Sequence, residues 1–297
     1  NNVLLCFVRN DGAPQLSMAA MIGGSLSNVV LDWVFIFPCQ MGIFGAAFAT
    51  GLAPIISMMI LSPHFIRKNN QFNFAKCMPE IRRFVRILSS GVPSLVTEVS
   101  SGIVIIVFNS ILLNLAGNVG VAAYGVIANL SLVIIAIYTG IAQGIQPIIS
   151  SNYGAKNTRN IKLILKYAMT TMLILSVLIY VTVFLGASQI AGIFNSEGDA
   201  VLQNIVTEGM RLYFTACPFA GFNILISIYF TSTEHLRPAH MISLLRGFLL
   251  IIPMAVFLSW LANIYGVWCA FPTTELLVAA IGLLFYIAIQ KKQKLAN

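Results

Sequence analysis

Apolar residues follow one another along this chain in long runs that charged side chains scarcely interrupt. Eight windows of at least 21 residues carry no more than one charged residue each: 14–37, 42–62, 87–117, 119–155, 167–196, 209–233, 238–262 and 264–289. A helix of about 20 apolar residues crosses the hydrocarbon core of a bilayer. The alternation typical of a membrane β-strand is absent. The pattern therefore predicts an all-α integral membrane protein with eight complete spans.

Composition and charge agree with a membrane protein. Only 9% of the residues are charged and 58% are hydrophobic, whereas a soluble domain carries about 25% charged residues. Of the 17 basic residues, 15 fall in loops that alternate with loops lacking them, which leaves Arg211 and Arg246 inside spans. Basic loops stay in the cytoplasm, so the net charge of +8 reflects topology and no nucleic-acid partner is expected. The C-terminus is predicted to be cytoplasmic.

Catalytic and metal-binding motifs are not evident in the sequence. The five cysteines form no CxxC pair, and no Gly-rich phosphate loop or Ser/His/Asp set occurs. His64, His235 and His240 lie at cytoplasmic ends of spans and are expected to be ordinary solvated side chains. We therefore expect neither an enzyme nor a bound cofactor.

An internal repeat relates the end of the chain to its beginning. A shift of 224 residues aligns identical residues without a gap, among them Pro14 with Pro238, Gly23 with Gly247, Gly42 with Gly266, Ala46 with Ala270, Thr50 with Thr274 and Leu52 with Leu276. Repeats of this kind are usual in secondary transporters. A second copy that starts near residue 80 implies a first copy lacking about 140 residues, or three to four helices, at its start.

The longest polar connection separates the two copies. The predicted organisation is residues 1–62 as the C-terminal part of a first lobe, 63–86 as a cytoplasmic linker, and 87–297 as a second lobe of six helices with a tail. The fold expected is two six-helix lobes, of which the first is incomplete in this chain.

A carboxylate inside a span is costly, which makes Asp32 a candidate for function. Asn28 lies one helical turn earlier on the same face, and Thr50 on the returning helix lies at a similar depth. Carboxylate, amide and hydroxyl oxygens suit a small cation, and the carboxylate can also bind a proton. The alternative is a hydrogen-bonded clasp between helices. The repeat favours function, because Ile252 and Val256 occupy the matching positions in the second copy.

The second copy carries its own intramembrane acids. Glu98 lies among hydroxyl residues in the run SLVTEVSSG, which suggests a cavity wall that attracts an organic cation or exchanges a proton. The alternative pairs Glu98 with Arg211 or Arg246. For Glu275, a functional role and structural pairing with Arg246 have equal weight.

Polar side chains also cluster near a helix end in the run AQGIQPIISSNYGAK. Pro147 frees a backbone carbonyl there, and Gln143 and Gln146 can satisfy that carbonyl or line a substrate path.

Several stretches of the chain resemble the multidrug and toxic compound extrusion (MATE) transporters, in particular the MepA-like bacterial branch. In the first copy they are FVRNDGAPQLSMAAMIGG, SNVVLDWVFIF and GIFGAAFATG; in the second they are AAYGVIANLSLVIIAIYTGIAQGIQPIISSNYGA and PFAGFNILISIYF. The resemblance implies a twelve-helix protein of two lobes, of which this chain holds the end of helix 4 through helix 12. It also implies export of organic cations in exchange for inward Na⁺ or H⁺.

The resemblance assigns roles to individual residues. Asn28, Asp32 and Thr50 match the cation site of the family's first lobe, which an acid on helix 1 completes. Glu98 matches the acid on helix 7 in the second-lobe cavity. Some branches carry a further acid on helix 10, where this chain has only Asn223. The expected substrate cavity therefore involves Glu98, Gln143, Gln146 and Asn223.

The leading hypothesis is an ion-coupled exporter of organic cations in the bacterial plasma membrane, acting as a monomer by rocking of two lobes. The alternative in the same superfamily is a flippase or exporter of lipid-linked or polysaccharide substrates, whose cavity should be basic. A channel would not need a two-lobe repeat with asymmetric acids, and a membrane enzyme would need a catalytic constellation.

Overall fold

A computed structural model describes residues 1–66, 80–195 and 198–296. Throughout these residues the regular structure is helical. The predicted linker lies largely outside the described residues, as do Cys77 and Glu197. The chain divides into two compact units, Asn1–Pro79 and Glu80–Asn297. How the helices are shared between two transporter lobes stays a prediction.

The described part of the first unit, residues 1–66, consists of three helices: α1 (Asn2–Asn10), α2 (Pro14–Ile36) and α3 (Gly42–Ile66). Pro14 occupies the first turn of α2, where its missing N–H leaves no intrahelical hydrogen bond unmade. The turn between α2 and α3 uses positive φ angles at Gln40 and Gly42. The two long helices therefore form a hairpin of membrane-spanning length, and α1 packs against it.

His64, in the last turn of α3, is buried in this first unit and pairs with Asp11. Its Nε2 lies 2.8 Å from Oδ2 of Asp11, and both side chains are buried. Leu5, Val8 and Leu61 form a small apolar core nearby. The expectation of a solvated histidine is therefore wrong at this position, because α1 and the loop after it cover the end of α3.

The second unit contains six further α-helices: α4 (Ile81–Gly154), α5 (Thr158–Phe194), α6 (Ala200–Tyr213), α7 (Cys217–Ser232), α8 (Leu236–Leu244) and α9 (Ile251–Ala296). A 3₁₀ turn, Phe214–Ala216, joins α6 to α7, and a π-helical turn, Leu245–Leu249, follows α8. The side chain of Asp199 caps α6 by accepting hydrogen bonds from the backbone N–H groups of Val201 and Leu202.

Two of the long helices contain a sharp break. Gly117 has φ 63° and ψ −152° inside α4, and Ala262 and Asn263 leave helical geometry inside α9. Six helical stretches of the described chain are long and apolar enough to cross a membrane. Division of two of them at these breaks gives eight segments, which correspond to the eight predicted windows. The all-α membrane fold is thereby confirmed.

Helix α7 lies at the centre of the second unit. It packs against α4, α5, α8 and α9, and ten of its 16 residues are buried. Three stacked rings, Phe108, Tyr124 and Trp268, join α4 to α9. By contrast, the outer face of α5 exposes large apolar side chains such as Leu173, Leu178 and Leu185. Apolar outside faces around a packed interior are what a lipid environment favours.

Candidate functional site

Three helices of the second unit bring a buried charged network together. Glu275 on α9 is 1% exposed, and its Oε1 accepts a 2.8 Å hydrogen bond from Nε of Arg246 in the π-helical turn. Nδ2 of Asn223 on α7 donates to Oε2 of Glu275 at 2.6 Å and to the Glu275 backbone carbonyl at 2.8 Å. Both carboxylate oxygens are therefore satisfied, as a buried charge requires.

This network borders a cavity of about 120 Å³ within the second unit. Most of its wall surface is apolar, with aliphatic side chains and the aromatic rings of Tyr124, Tyr213 and Phe271. The polar groups that line it are those of Thr97, Ser100, Ser101, Ser131, Ser243, Arg246 and Glu275. The rings of Tyr213 and Phe271 stack at 4.6 Å with an interplanar angle of 12°. The cavity thus combines flat apolar surfaces with polar groups, which is typical of a small-molecule site.

The π-helical turn that carries Arg246 has a local cause in the sequence. Pro253 lacks the N–H that would bond the carbonyl of Leu249, and its ring crowds that carbonyl. The Leu250 N–H bonds instead to the carbonyl of Leu245, five residues earlier. In the first copy of the repeat, Val29 occupies the position of Pro253, and α2 is a regular helix throughout. Wide turns of this kind are frequent at functional sites.

Gly247 allows this turn to approach α4 closely. A β-carbon at Gly247 would lie 2.8 Å from Cβ of Ser100 and still nearer to its hydroxyl. Contacts that short are prohibitive, so a side chain at this position would push the turn away from α4. Arg246 is consequently held beside the α4 face that lines the cavity.

Glu98 does not line this cavity. Before its break at Gly117, α4 lines the cavity with Thr97, Ser100, Ser101, Val104 and Ile105, most of which recur with the three- and four-residue spacing of one helix face. Glu98 is one residue, or about 100°, away from that face, and its side chain is exposed. The pairing of Glu98 with Arg246, considered as an alternative, is not found, because Arg246 pairs with Glu275.

The other sequence candidates in this unit are distributed differently. Asn223 is fully buried and supports Glu275 from behind without lining the cavity. Gln143 and Gln146 lie on α4 beyond Ile135, the last cavity-lining residue of that helix. Eight residues of helix separate Gln143 from Ile135, about 12 Å. The structure therefore brings together Asn223, Glu275 and Arg246 but not Glu98 or the glutamines.

The candidate ion site of the first unit has unpaired polar atoms. Oδ1 of Asp32 and Nδ2 of Asn28 are buried and have no hydrogen-bond partner among the described residues. Thr50 is exposed and donates its hydroxyl hydrogen to the carbonyl of Ala46 at 2.9 Å, which leaves its oxygen lone pairs available. In the described part of the chain the three side chains do not form the interhelical clasp that was the alternative interpretation.

Comparison with known proteins identifies the chain's relatives. The MatE family model matches residues 93–257, which run from the cavity-lining part of α4 into α9. The chain belongs to the MatE family. It is therefore a member of a family of multi-pass membrane transporters.

Individual MatE relatives extend the match over nearly the whole chain. The multidrug export protein MepA of Staphylococcus saprophyticus is 26% identical over 288 residues, covering 96% of this chain and 63% of its own length. MepA of Staphylococcus aureus strain MSSA476 is 25% identical over the same extent. The chain thus spans about 63% of the length of these curated relatives.

Solved structures share the fold. A crystal structure of a MATE transporter in complex with MaL6 superposes with a TM-score of 0.89 at 23% identity, covering 97% of this chain and 65% of that one. The outward-facing conformation of a multidrug resistance MATE transporter gives 0.88 at 23% identity, with the same coverage of both chains. Since the identity is low, this likeness bears on the fold alone.

Proposed function

We propose that this chain is part of a secondary transporter that exports small organic compounds, organic cations in particular, in exchange for inward Na⁺ or H⁺. The observation that carries the proposal is the similarity to multidrug export proteins across 96% of the chain. We also propose that the protein lies in a bacterial plasma membrane with its basic loops in the cytoplasm, a placement that the distribution of Lys and Arg supports.

The cavity of the second unit supports binding of small organic molecules. Stacked rings offer flat surfaces for aromatic compounds, and hydroxyl groups offer hydrogen bonds that do not demand one particular ligand. A site built from such groups tolerates ligands of different shapes, as a multidrug exporter requires.

Asp32 is the residue we propose for coupling. A carboxylate at membrane depth with an unpartnered oxygen gains by binding a proton or a small cation. The side-chain oxygens of Asn28 and Thr50 can serve as neutral ligands to Na⁺. An ion drives transport only if it binds the two conformations with different affinity. A single carboxylate between α2 and α3 would sense the packing of those helices and so meet this condition.

The working unit is proposed to be a monomer in which two lobes rock about a central cavity. Organic compounds and the bilayer are its expected partners, with Na⁺ or H⁺ as coupling ion and no further cofactor.

Ethidium efflux tests the proposal. Bacteria that express the protein should lose preloaded ethidium faster than vector controls. An imposed Na⁺ gradient and an imposed pH gradient, varied separately, should reveal which ion accelerates the loss. If no cationic dye leaves faster under either gradient, the proposed export is refuted.

The flippase alternative requires a strongly basic cavity. Arg246 is the one basic side chain that lines the described cavity, and it is already paired with Glu275. One basic side chain whose charge is balanced does not make such a cavity, and this favours the exporter.

A further inference from the structure

The charged groups at the cavity are not equally available to a ligand. Glu275 is 1% exposed, and both of its carboxylate oxygens accept hydrogen bonds from protein groups. Arg246 is 15% exposed and uses only Nε in its pairing with Glu275. Its two terminal nitrogens bond to no residue of the described chain, and neither is a buried unpaired atom. A ligand that enters the cavity therefore meets the guanidinium and not the carboxylate.

We infer that this cavity binds the carboxylate of a small aromatic acid, with Arg246 as the recognition residue. The two terminal guanidinium nitrogens present parallel N–H donors, which match the two oxygens of a carboxylate. A positive charge elsewhere on the ligand is compatible with this site, because the group recognised here is its anion. A cavity organised around an exposed acid would instead prefer cations.

The walls of the cavity specify the remainder of the ligand. Tyr213 and Phe271 contribute aromatic surface, and their rings stack on each other at 4.6 Å. The volume of about 120 Å³ is somewhat below the roughly 150 Å³ of a dry cavity that holds benzene, so the ligand part bound here is at most a single ring. The hydroxyl groups of Ser131 and Ser243 line the same space and can add hydrogen bonds to the anion.

Stability does not account for the pair of Arg246 and Glu275. A buried ion pair is often no more stable than apolar residues of similar volume. The first copy of the repeat manages without one, since Ile22 and Gly51 occupy the matching positions. It also lacks the π-helical turn that brings Arg246 to the cavity. Charge and irregular backbone occur together in one copy only, which points to a ligand.

Equilibrium dialysis of the detergent-purified protein tests the inference with three ring compounds of similar size. Radiolabelled benzoate should bind saturably, while unlabelled benzamide should compete at least about tenfold more weakly, as expected for loss of a charged hydrogen-bonding group. Phenyltrimethylammonium should not displace benzoate. If benzoate does not bind saturably, or if phenyltrimethylammonium binds more tightly than benzoate, the inference is overturned.

Variants assign the binding to Arg246. The double substitution Arg246→Met with Glu275→Met removes both charges together and leaves no unpaired ion, so the fold should persist while benzoate affinity falls at least about tenfold. Arg246→Lys keeps a cation for Glu275 but lacks the planar fork, and it should lower the affinity by a smaller factor. Arg211→Met is the matched control, because Arg211 lies outside the cavity, over the ring of Phe184.

The outcomes of these variants are decisive. Benzoate affinity that is unchanged in both Arg246 variants refutes the assignment, and so does an equal loss in Arg211→Met. If the double variant does not fold, the Arg246→Lys result decides alone. Binding at equilibrium does not depend on export, so a protein that binds benzoate but transports nothing would refute only the proposed function.

Discussion

Arg246 and Glu275 each stabilise the charge of the other inside a membrane-spanning segment. The carboxylate is 1% exposed, and the guanidinium is its one charged partner among the described residues. Removing one member of a buried pair leaves the other uncompensated, which costs far more than replacing both. Their stability effects should therefore be strongly non-additive.

We expect Arg246→Met alone to destabilise the second unit by about 3 kcal/mol, because Glu275 must then bury an unpaired charge or take up a proton. The double variant with Glu275→Met should recover most of that loss. Thermal unfolding in detergent, followed by circular dichroism, measures both. Additive effects of the two single substitutions would contradict the pairing.

At Asp32, we expect Asp32→Asn to abolish export of every substrate while ligand binding to the purified protein survives. The substitution keeps the shape of the side chain but removes the charge that binds the coupling ion. Efflux of several dyes, measured beside the expression level, tests this. Val256→Ala, at the exposed matching position of the second copy, should be mild. Loss of expression in Asp32→Asn would indicate a packing role instead.

The sequence anticipated part of the second-unit site. It expected Asn223 among the substrate-cavity residues, whereas Asn223 does not line the cavity and hydrogen-bonds to Glu275. It also left open the pairing of Glu275 with Arg246, which the structure contains. The sequence did not reveal on which face of α4 Glu98 lies. Hydroxyl residues surround it within the run SLVTEVSSG, so polarity alone does not distinguish the cavity face from its neighbour 100° away.

At the scale of whole helices, charge-free windows located the spans because lipid demands apolar side chains on any crossing helix. The boundary between the windows 87–117 and 119–155 coincides with the break at Gly117, and that between 238–262 and 264–289 coincides with the break at Ala262 and Asn263. The π-helical turn was not anticipated. Pro253 in the second copy, opposite Val29 in the first, was the available signal, but proline in a membrane helix has several outcomes.

The break at Gly117 requires glycine. Its φ of 63° and ψ of −152° lie in a region that residues with a β-carbon scarcely occupy, at a cost of about 1–3 kcal/mol. We expect Gly117→Ala to lower the stability by that amount through backbone strain alone, since no atom lies within 4 Å of the added carbon. Thermal unfolding in detergent measures the change.

Gly125→Ala provides the control for this element. Its added carbon also meets nothing within 4 Å, but Gly125 has helical geometry, so alanine should be neutral or stabilising by about 0.5–1 kcal/mol. Equal effects at the two positions would mean that the break in α4 is not set by Gly117.

For the whole molecule, the two units offer different chemistry to ion and substrate. In the first unit, Oδ1 of Asp32 is buried in the helical hairpin and has no hydrogen-bond partner among the described residues. In the second unit, the paired Arg246 and Glu275 line a cavity with aromatic walls. If coupling belongs to the first and recognition to the second, substitutions in the first should affect all substrates equally. Substitutions in the second should discriminate between substrates by their charged groups.

Two related dyes separate recognition from coupling. Rhodamine 110 carries a benzoate group, and rhodamine 123 is its methyl ester, so the pair differs only in the carboxylate that Arg246 is inferred to bind. We expect Arg246→Lys to slow efflux of rhodamine 110 by about fivefold, equivalent to about 1 kcal/mol for loss of the bidentate geometry, with little effect on rhodamine 123. Glu98→Gln, at a side chain that does not line this cavity, should not distinguish the two dyes. Arg211→Lys serves as the control and should change neither. Should Arg246→Lys slow both dyes equally, the arginine would act on the transport cycle and not on the carboxylate of the substrate.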